Sequence, residues 1–297
     1  ILFAFSLAFP FSSRFNLMNL IASTSTGSLL VIFIVMFVHF YFIEKSKRFE
    51  KIKFPKELIS FAVVGISLII VATIFFGPSF FIDHVNDVVK NSVRPLGNTR
   101  FTLTVAENKQ PYFVSDWKES FGPNFGGQPI FFWLFFAGSV FLFYTMINQI
   151  GKKEKFLLTI SYLIFLFALI FSKYSPNNVF NGDSNLSLLL YFGGMLFFTG
   201  SFAYIYVKKY RSNDFESFKE MKFSYILYFV VLTMAIIAAR GGVRLIIILA
   251  AVVPVVVAFL AVKSSERYMK ERGKSKGMYI GIVALVIVLG LTYSVYI

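Results

Sequence analysis

Residues 245–262 read LIIILAAVVPVVVAFLAV, a run of apolar residues with no charged side chain. A run of this length approaches what a helix needs to cross the roughly 30 Å hydrocarbon core of a bilayer. In lipid a single segment satisfies all of its backbone polar groups only as a helix. Similar blocks recur along the chain, which predicts an all-α membrane protein, a polytopic transmembrane helix bundle of about eight complete spans plus a partial one. The predicted spans are 27–43, 58–77, 129–147, 157–174, 186–207, 223–239, 245–262 and 278–297, with residues 1–10 as the end of a further helix.

The composition agrees with a membrane protein and excludes several site chemistries. Hydrophobic residues make up 57% of the 297 residues and charged residues 15%, with a mean hydropathy of +0.72. A soluble domain carries about 25% charged residues. Cysteine is absent, which excludes disulfides, thiolate nucleophiles and cysteine-ligated metals. The only histidines are His39 and His84, so a site with several histidine ligands is excluded as well.

The basic residues indicate the orientation of the chain in the membrane. Four short loops contain 20 of the 29 lysines and arginines. By the positive-inside rule these loops lie in the cytoplasm, and the net charge of +14 reflects topology, so we expect no nucleic-acid partner. The long loop 78–128, the short loop 175–185 and the turn at 240–244 then lie on the opposite side. Gly193, Gly194, Gly200 and Ser201 are predicted to let helices approach closely.

The long loop is the segment where chemistry is expected, because roughly fifty residues exceed what a connection needs. Asp83, His84 and Asp87 could share a helical face as metal ligands, or belong to a solvated helix beside the membrane. Residues 99–112 begin as an alternating, β-branched extended segment and reach a carboxylate at Glu107. Such a segment would either pair edge-on with a peptide or form a structural lid.

A second candidate region lies at residues 238–245, AARGGVRL. A charge at membrane depth is costly and usually faces protein, water or an anion. Arg240 and Arg244 would share one helical face if the turn stays helical, and their planar guanidinium groups suit phosphate oxygens. The alternative is that both side chains reach out to lipid phosphates.

Both regions resemble one enzyme family. Thr104, Val105, Ala106 and Glu107, followed by Asn-Lys-Gln-Pro, Trp117 and Phe121-Gly122, resemble the TIxE motif in the fifth external loop of archaeal-type oligosaccharyltransferase catalytic subunits. Residues 238–245 resemble the arginine-bearing helix end of the same family. The resemblance covers about residues 95–130 and 235–260 by motif.

The resemblance implies a GT-C-like glycosyltransferase that moves an oligosaccharide from a dolichyl or other polyprenyl (pyro)phosphate to asparagine in Asn-X-Ser/Thr sequons. Glu107 would be the catalytic carboxylate, lying beside Mg²⁺ or Mn²⁺ as a metal ligand and hydrogen-bonding the acceptor amide. Thr104, Val105 and Ala106 would line the path of the acceptor polypeptide. Arg244, with Arg240, would bind the lipid phosphate.

On this interpretation residues 1–297 are a transmembrane fragment, with N-terminal spans and a C-terminal globular domain elsewhere in a longer polypeptide. The fragment alone is expected to be inactive. The protein would be a multi-pass component of the cell membrane with an extracytoplasmic active site. Two alternatives stay open: another membrane glycosyltransferase that uses polyprenyl-phosphate sugars, and a non-enzymatic transporter or flippase for lipid-linked sugar.

Overall fold

The computed structural model describes residues 24–45, 54–77, 82, 86, 109–122, 124, 127–212, 214, 216–270 and 276–296. These residues are predominantly helical and contain no β-strand, although Lys173 and Asn181 form an isolated antiparallel bridge. The prediction of an all-α chain is therefore confirmed for the described part. The predicted extended segment falls mostly outside it, as do residues 1–10 and Asp83, His84 and Asp87.

The α-helices are, in chain order, α1 (Thr24–Val38), α2 (Lys56–Phe76), α3 (Lys118–Ser120), α4 (Ile130–Met146), α5 (Lys152–Phe171), α6 (Asn185–Arg211), α7 (Glu216–Lys219), α8 (Phe223–Gly241), α9 (Ile247–Lys270) and α10 (Lys276–Tyr296). Two π-helical segments occur, His39–Ile43 after α1 and Phe113–Trp117 before α3, and a 3-10 turn, Val243–Ile246, leads into α9.

Each predicted span overlaps one of these helices. By length and composition, four helices among the described residues are able to cross a membrane: Lys152–Phe171, Asn185–Arg211, Phe223–Gly241 and Val243–Met269. Three further apolar helices are shorter: Leu29–Ile43, Ile130–Met146 and Gly277–Val288. The chain thus has the helices of a membrane protein, while the count of eight spans stays a prediction.

The chain divides into two compact units. The first comprises Ile1–Val85 with Val207–Asn213, and the second Asn86–Tyr206 with Asp214–Ile297. In the first unit α1 and α2 are neighbours, and the Nδ1 atom of His39 lies 3.1 Å from Oγ of Ser60, which donates to the carbonyl of Lys56. This hydrogen bond gives His39 a structural role between helices.

The second unit has an aromatic core shared by four helices. The rings of Phe143 and Tyr162 stack with centroids 4.6 Å apart, and Phe198 and Phe229 pack against both. The fully buried hydroxyl of Tyr162 lies 2.6 Å from Oγ of Ser139, so burial leaves neither polar group unsatisfied. This cluster joins α4, α5, α6 and α8.

Small residues permit the closest helix contacts. A Cβ atom on Gly194 would lie 2.5 Å from Cβ of Ala168, so the predicted close approach occurs there. At Gly193 and Gly200 an added Cβ would have no heavy atom of the described chain within 4 Å, so the prediction is wrong for these two. Another close contact is at Gly138, where a Cβ would lie 2.8 Å from Cγ1 of Val256.

The two ends of the second unit differ in charge. Nζ of Lys155 lies 4.3 Å from the ring centroid of Tyr144, and Cζ of Arg267 lies 5.5 Å from the same centroid. Two of the predicted cytoplasmic loops therefore meet at one end of this unit, as the positive-inside rule requires. The segments around residues 171–184 and 240–246 lie at the opposite helix ends.

We expect Gly138→Ala to lower stability by about 1–3 kcal/mol, because the new methyl group overpacks the contact between α4 and α9. Gly193→Ala is the matched control, with open space for the methyl group and a gain in helix propensity of up to about 1 kcal/mol. Thermal unfolding in detergent measures both, and equal unfolding temperatures would contradict the packing.

The absence of cysteine makes the orientation directly testable. Lys153→Cys and Asn177→Cys place single thiols at exposed positions, one in the first turn of α5 and one beyond its opposite end. A membrane-impermeant maleimide should label only Asn177→Cys in intact cells and both thiols after the membrane is permeabilised. Labelling of Lys153→Cys in intact cells would reverse the assigned orientation.

Candidate functional site

Three parts of the chain meet at the end of the second unit that is opposite the basic loops. Residues 109–117, which we call the anchor segment, follow directly on the Glu107 motif. The N–H group of Val243 donates to the carbonyl of Lys109 over 3.0 Å. The N–H groups of Phe113 and Val114 donate to the carbonyls of Lys173 and Tyr174 over 2.9 and 3.1 Å. The anchor segment thus connects the end of α5 with the turn between α8 and α9.

A buried carboxylate shapes the anchor segment. Asp116 is 8% exposed, and its Oδ1 lies 3.1 Å from Nζ of Lys109. Its Oδ2 accepts hydrogen bonds from the Tyr112 N–H group over 2.8 Å and from the Ser115 hydroxyl over 2.7 Å. The charge is paired and hydrogen-bonded, as a buried carboxylate requires. Asp116 therefore stabilises the fold of this segment.

Aromatic side chains hold the anchor segment in the core. The ring of Phe113 lies 4.6 Å from that of Phe171 and 5.1 Å from that of Phe132. Trp117 is 2% exposed and stacks on Phe121 with centroids 6.1 Å apart. Trp117 and Phe121, which belong to the resemblance, are thus packing residues here.

A tight turn follows α5 and leads into α6. The Tyr174 N–H group donates to the carbonyl of Phe180 over 2.7 Å, and the Gly182 N–H group donates to Oγ of Ser187 over 3.1 Å. Gly182 has φ +90°, and a Cβ there would lie 2.7 Å from Cγ of Lys173. Only glycine meets both demands, since the conformation disfavours a side chain and the space is already filled.

Arg240 is the most unusual residue of this region. It is 3% exposed, and its Cζ lies 4.0 Å above the ring of Tyr191. Nε, Nη1 and Nη2 have no hydrogen-bond partner among the described residues. Asp183 interacts with this guanidinium electrostatically, and the contact with Tyr191 is a cation–π interaction. A buried guanidinium whose donors are unused is suited to bind an anion.

The two arginines do not share a helical face, which corrects the prediction from their spacing. α8 ends at Gly241, Gly242 is extended with φ −170° and ψ 149°, and a 3-10 turn follows. Consecutive glycines disfavour helix, so the helical register is lost between the arginines. Arg240 is buried, whereas Arg244 is exposed.

The predicted acceptor and metal residues lie outside the described residues: Thr104, Val105, Ala106 and Glu107. Within the described ranges, no group of three histidine or acidic side chains converges as a metal site. Asp116, the described carboxylate nearest in sequence to Glu107, is already engaged by the ammonium group of Lys109 and the N–H group of Tyr112. These residues do not by themselves form a site for Mg²⁺ or Mn²⁺.

An apolar groove lies beside the anchor segment. Its volume is about 330 Å³, within the range of small-molecule sites. It is lined by Phe113, Gln128, Trp133, Phe167, Phe171, Tyr174, Phe180 and Leu190. Lys173, which precedes Tyr174 in the chain, connects the groove to Arg240, because its Nζ donates to the Arg240 carbonyl over 3.2 Å.

The sequence-based reasoning missed Lys173, Tyr191 and Gly182. Lys173 carried a signal, because it is a lysine outside the four basic loops at the end of an apolar span. Tyr191 and Gly182 carried none, because tyrosines and glycines recur at many helix ends of this chain.

Comparison of the chain with protein-family models, with curated proteins and with solved structures finds no match.

Phe113→Ala should release the anchor segment, because a buried phenylalanine contributes about 3–5 kcal/mol relative to alanine. We expect faster amide hydrogen exchange across residues 109–117. Val114→Ala is the control, since the Val114 side chain is exposed although its N–H group is bonded in the same way. Equal exchange in the two variants would mean that the aromatic contacts do not hold the segment.

Proposed function

We propose that the chain is the membrane portion of a GT-C-like oligosaccharyltransferase, which transfers a lipid-linked oligosaccharide to the asparagine of Asn-X-Ser/Thr sequons. The observation that carries the proposal is the hydrogen bond between the Val243 N–H group and the Lys109 carbonyl. Lys109 lies two residues after Glu107, and Val243 lies beside Arg244 in sequence. Two segments that resemble separate motifs of one family are therefore joined, although the four long helices α4, α5, α6 and α8 separate them along the chain.

The buried Arg240 guanidinium supports the phosphate half of the site. Its donors have no hydrogen-bond partner among the described residues, and guanidinium groups bind phosphate oxygens in a bidentate manner. Arg240 would bind the (pyro)phosphate of the donor, and the exposed Arg244 would meet the same group from the turn. The aromatic groove would receive the first isoprene units of the lipid, because its lining is apolar.

The reaction requires the protein to orient the nucleophile and to stabilise the leaving group. The acceptor carboxamide is a poor nucleophile, since its nitrogen lone pair is delocalised into the carbonyl. A carboxylate at Glu107 that accepts hydrogen bonds from the amide would orient that nitrogen towards the anomeric carbon. The nitrogen–carbon bond forms, the carbon–oxygen bond to the phosphate breaks, and the nitrogen passes a proton to the Glu107 carboxylate. The electron pair stays on the departing phosphate, where Arg240 stabilises the added negative charge.

Glu107 is also the proposed ligand of Mg²⁺ or Mn²⁺. A divalent cation there would stabilise charge on the leaving phosphate. The remaining ligands would come from other parts of a longer polypeptide. The positive-inside rule predicts that the basic loops lie in the cytoplasm and the anchor segment on the opposite side, so transfer would take place on the outer face of the membrane.

We expect Glu107→Gln to lower glycan transfer about a hundredfold, because it retains the shape of the side chain and removes the charge. The assay uses the full-length protein in membranes with native donor lipid and a fluorescent Asn-X-Thr peptide. Glu119→Gln is the matched control, an exposed carboxylate in the same loop. Chelation of divalent cations should abolish wild-type transfer.

Each other outcome has a distinct meaning. Transfer that survives Glu107→Gln would retain the family and discard Glu107 as the catalytic carboxylate. Transfer to a Gln-X-Thr peptide would contradict the sequon requirement. No transfer by the wild type would favour an enzyme that glycosylates lipid or another acceptor, or a transporter of lipid-linked sugar.

A further inference from the structure

Lys173 is a second buried cation at the site. It is 2% exposed, and it lies at the helix ends opposite the basic loops, so the positive-inside rule does not account for it. Burying an ammonium group is costly unless the group is paired and hydrogen-bonded. A lysine in this place therefore needs a specific reason.

The contacts of Lys173 point to Arg240. Its Nζ donates to the carbonyl oxygen of Arg240 over 3.2 Å. This carbonyl is one of the last in α8, where helical carbonyls lack partners within the helix and carry the negative end of the helix dipole. The ammonium group thus fixes the backbone of the residue that carries the unpaired guanidinium.

The same residue is connected to the anchor segment. The carbonyl of Lys173 accepts the Phe113 N–H group over 2.9 Å, and Lys173 pairs with Asn181 in the isolated bridge. The stem of its side chain fills the space over Gly182, where a Cβ would lie 2.7 Å from Cγ and 3.0 Å from Cε. The stem is therefore held along its length, and the ammonium group has little freedom to leave Arg240.

We infer that Lys173 is a positioning residue, which holds Arg240 in place to bind the phosphate of a polyprenyl-linked donor. This inference rests on the proposed function for the identity of the ligand. Lys173 acts through Arg240 by fixing the backbone of the arginine, whose guanidinium also interacts with the carboxylate of Asp183. Because the Lys173 carbonyl also accepts the Phe113 N–H group, Lys173 links the position of Arg240 to that of the segment that follows Glu107.

A double-mutant cycle distinguishes this role from simple stabilisation of the fold. The full-length protein is placed in phosphatidylcholine nanodiscs, and equilibrium binding of a sugar-free polyprenyl phosphate is compared with that of the matching polyprenol. The variants are Lys173→Met, which retains length and removes the donor and the charge, Lys173→Arg, Arg240→Gln, and the double variant of Lys173→Met with Arg240→Gln.

We expect Lys173→Met to weaken binding of polyprenyl phosphate about tenfold, the scale of a lost hydrogen bond to a charged group. Binding of polyprenol should be unchanged, and Lys173→Arg should restore much of the loss. The double variant should bind no more weakly than Arg240→Gln alone, because a residue that acts through Arg240 has no further effect in its absence. Inorganic pyrophosphate should compete with the probe, whereas phosphatidylglycerol should not if the site prefers the donor to ordinary lipid headgroups.

Several results would overturn the inference: unchanged phosphate binding in Lys173→Met, equal loss of polyprenol binding, or losses that add in the double variant. If Lys173→Met does not fold, Lys173→Gln replaces it in the cycle, since its polar, uncharged side chain removes the ammonium group and leaves Gly182 unchanged. If glycan is transferred but the losses of phosphate binding add in the double variant, only the role of Lys173 is rejected. If no glycan is transferred but the double-mutant cycle gives the expected binding, the proposal of an oligosaccharyltransferase is rejected and the phosphate site is retained. If the wild type binds polyprenyl phosphate and polyprenol equally well, both the phosphate site and the role of Lys173 are rejected.

Discussion

A helix satisfies its own backbone in lipid, but its ends leave donors and acceptors without partners. In the second unit these groups are satisfied in common by the anchor segment and Lys173. The Lys173 carbonyl after α5 accepts from Phe113, the Arg240 carbonyl at the end of α8 accepts from the Lys173 ammonium group, and the Val243 N–H group before α9 donates to Lys109. Lys173 takes part in two of these bonds and the anchor segment in two. A few shared residues therefore link the ends of α5 and α8 with the turn before α9.

This shared capping also explains how a charge is tolerated at such a place. The guanidinium of Arg240 makes a cation–π contact with Tyr191 and interacts electrostatically with Asp183, but it makes no hydrogen bond within the described chain. The aromatic core of the same unit, built around Phe143 and Tyr162, packs rings from four helices together. A buried cation that is held in place and has unused donors is pre-organised for an anion, since little reorganisation is needed on binding. The anion-binding proposal follows from the burial of Arg240 and its unsatisfied hydrogen-bond donors.

The part of the structure that sequence reasoning anticipated is the part that depends on local composition. All eight apolar blocks overlap helices, and the contacts of Lys155 and Arg267 with Tyr144 bring two predicted cytoplasmic loops to one end. Reasoning from spacing failed at 240–244, because a glycine pair ended the helix that the spacing assumed. It also failed for Gly193 and Gly200, since a glycine permits a close approach without specifying which helix will make it.

The sequence by itself determined that the chain is helical and belongs in a membrane, because hydrophobic length and charge are properties of each segment alone. It also identified Arg240 as a residue that needs an explanation. Only the tertiary structure decided that Arg240 is buried and Arg244 exposed, that Trp117 is a packing residue, and that Lys173 reaches the end of α8. These features depend on contacts between residues far apart in the chain. Such contacts are determined by how side chains pack, and a local pattern of residues does not encode them.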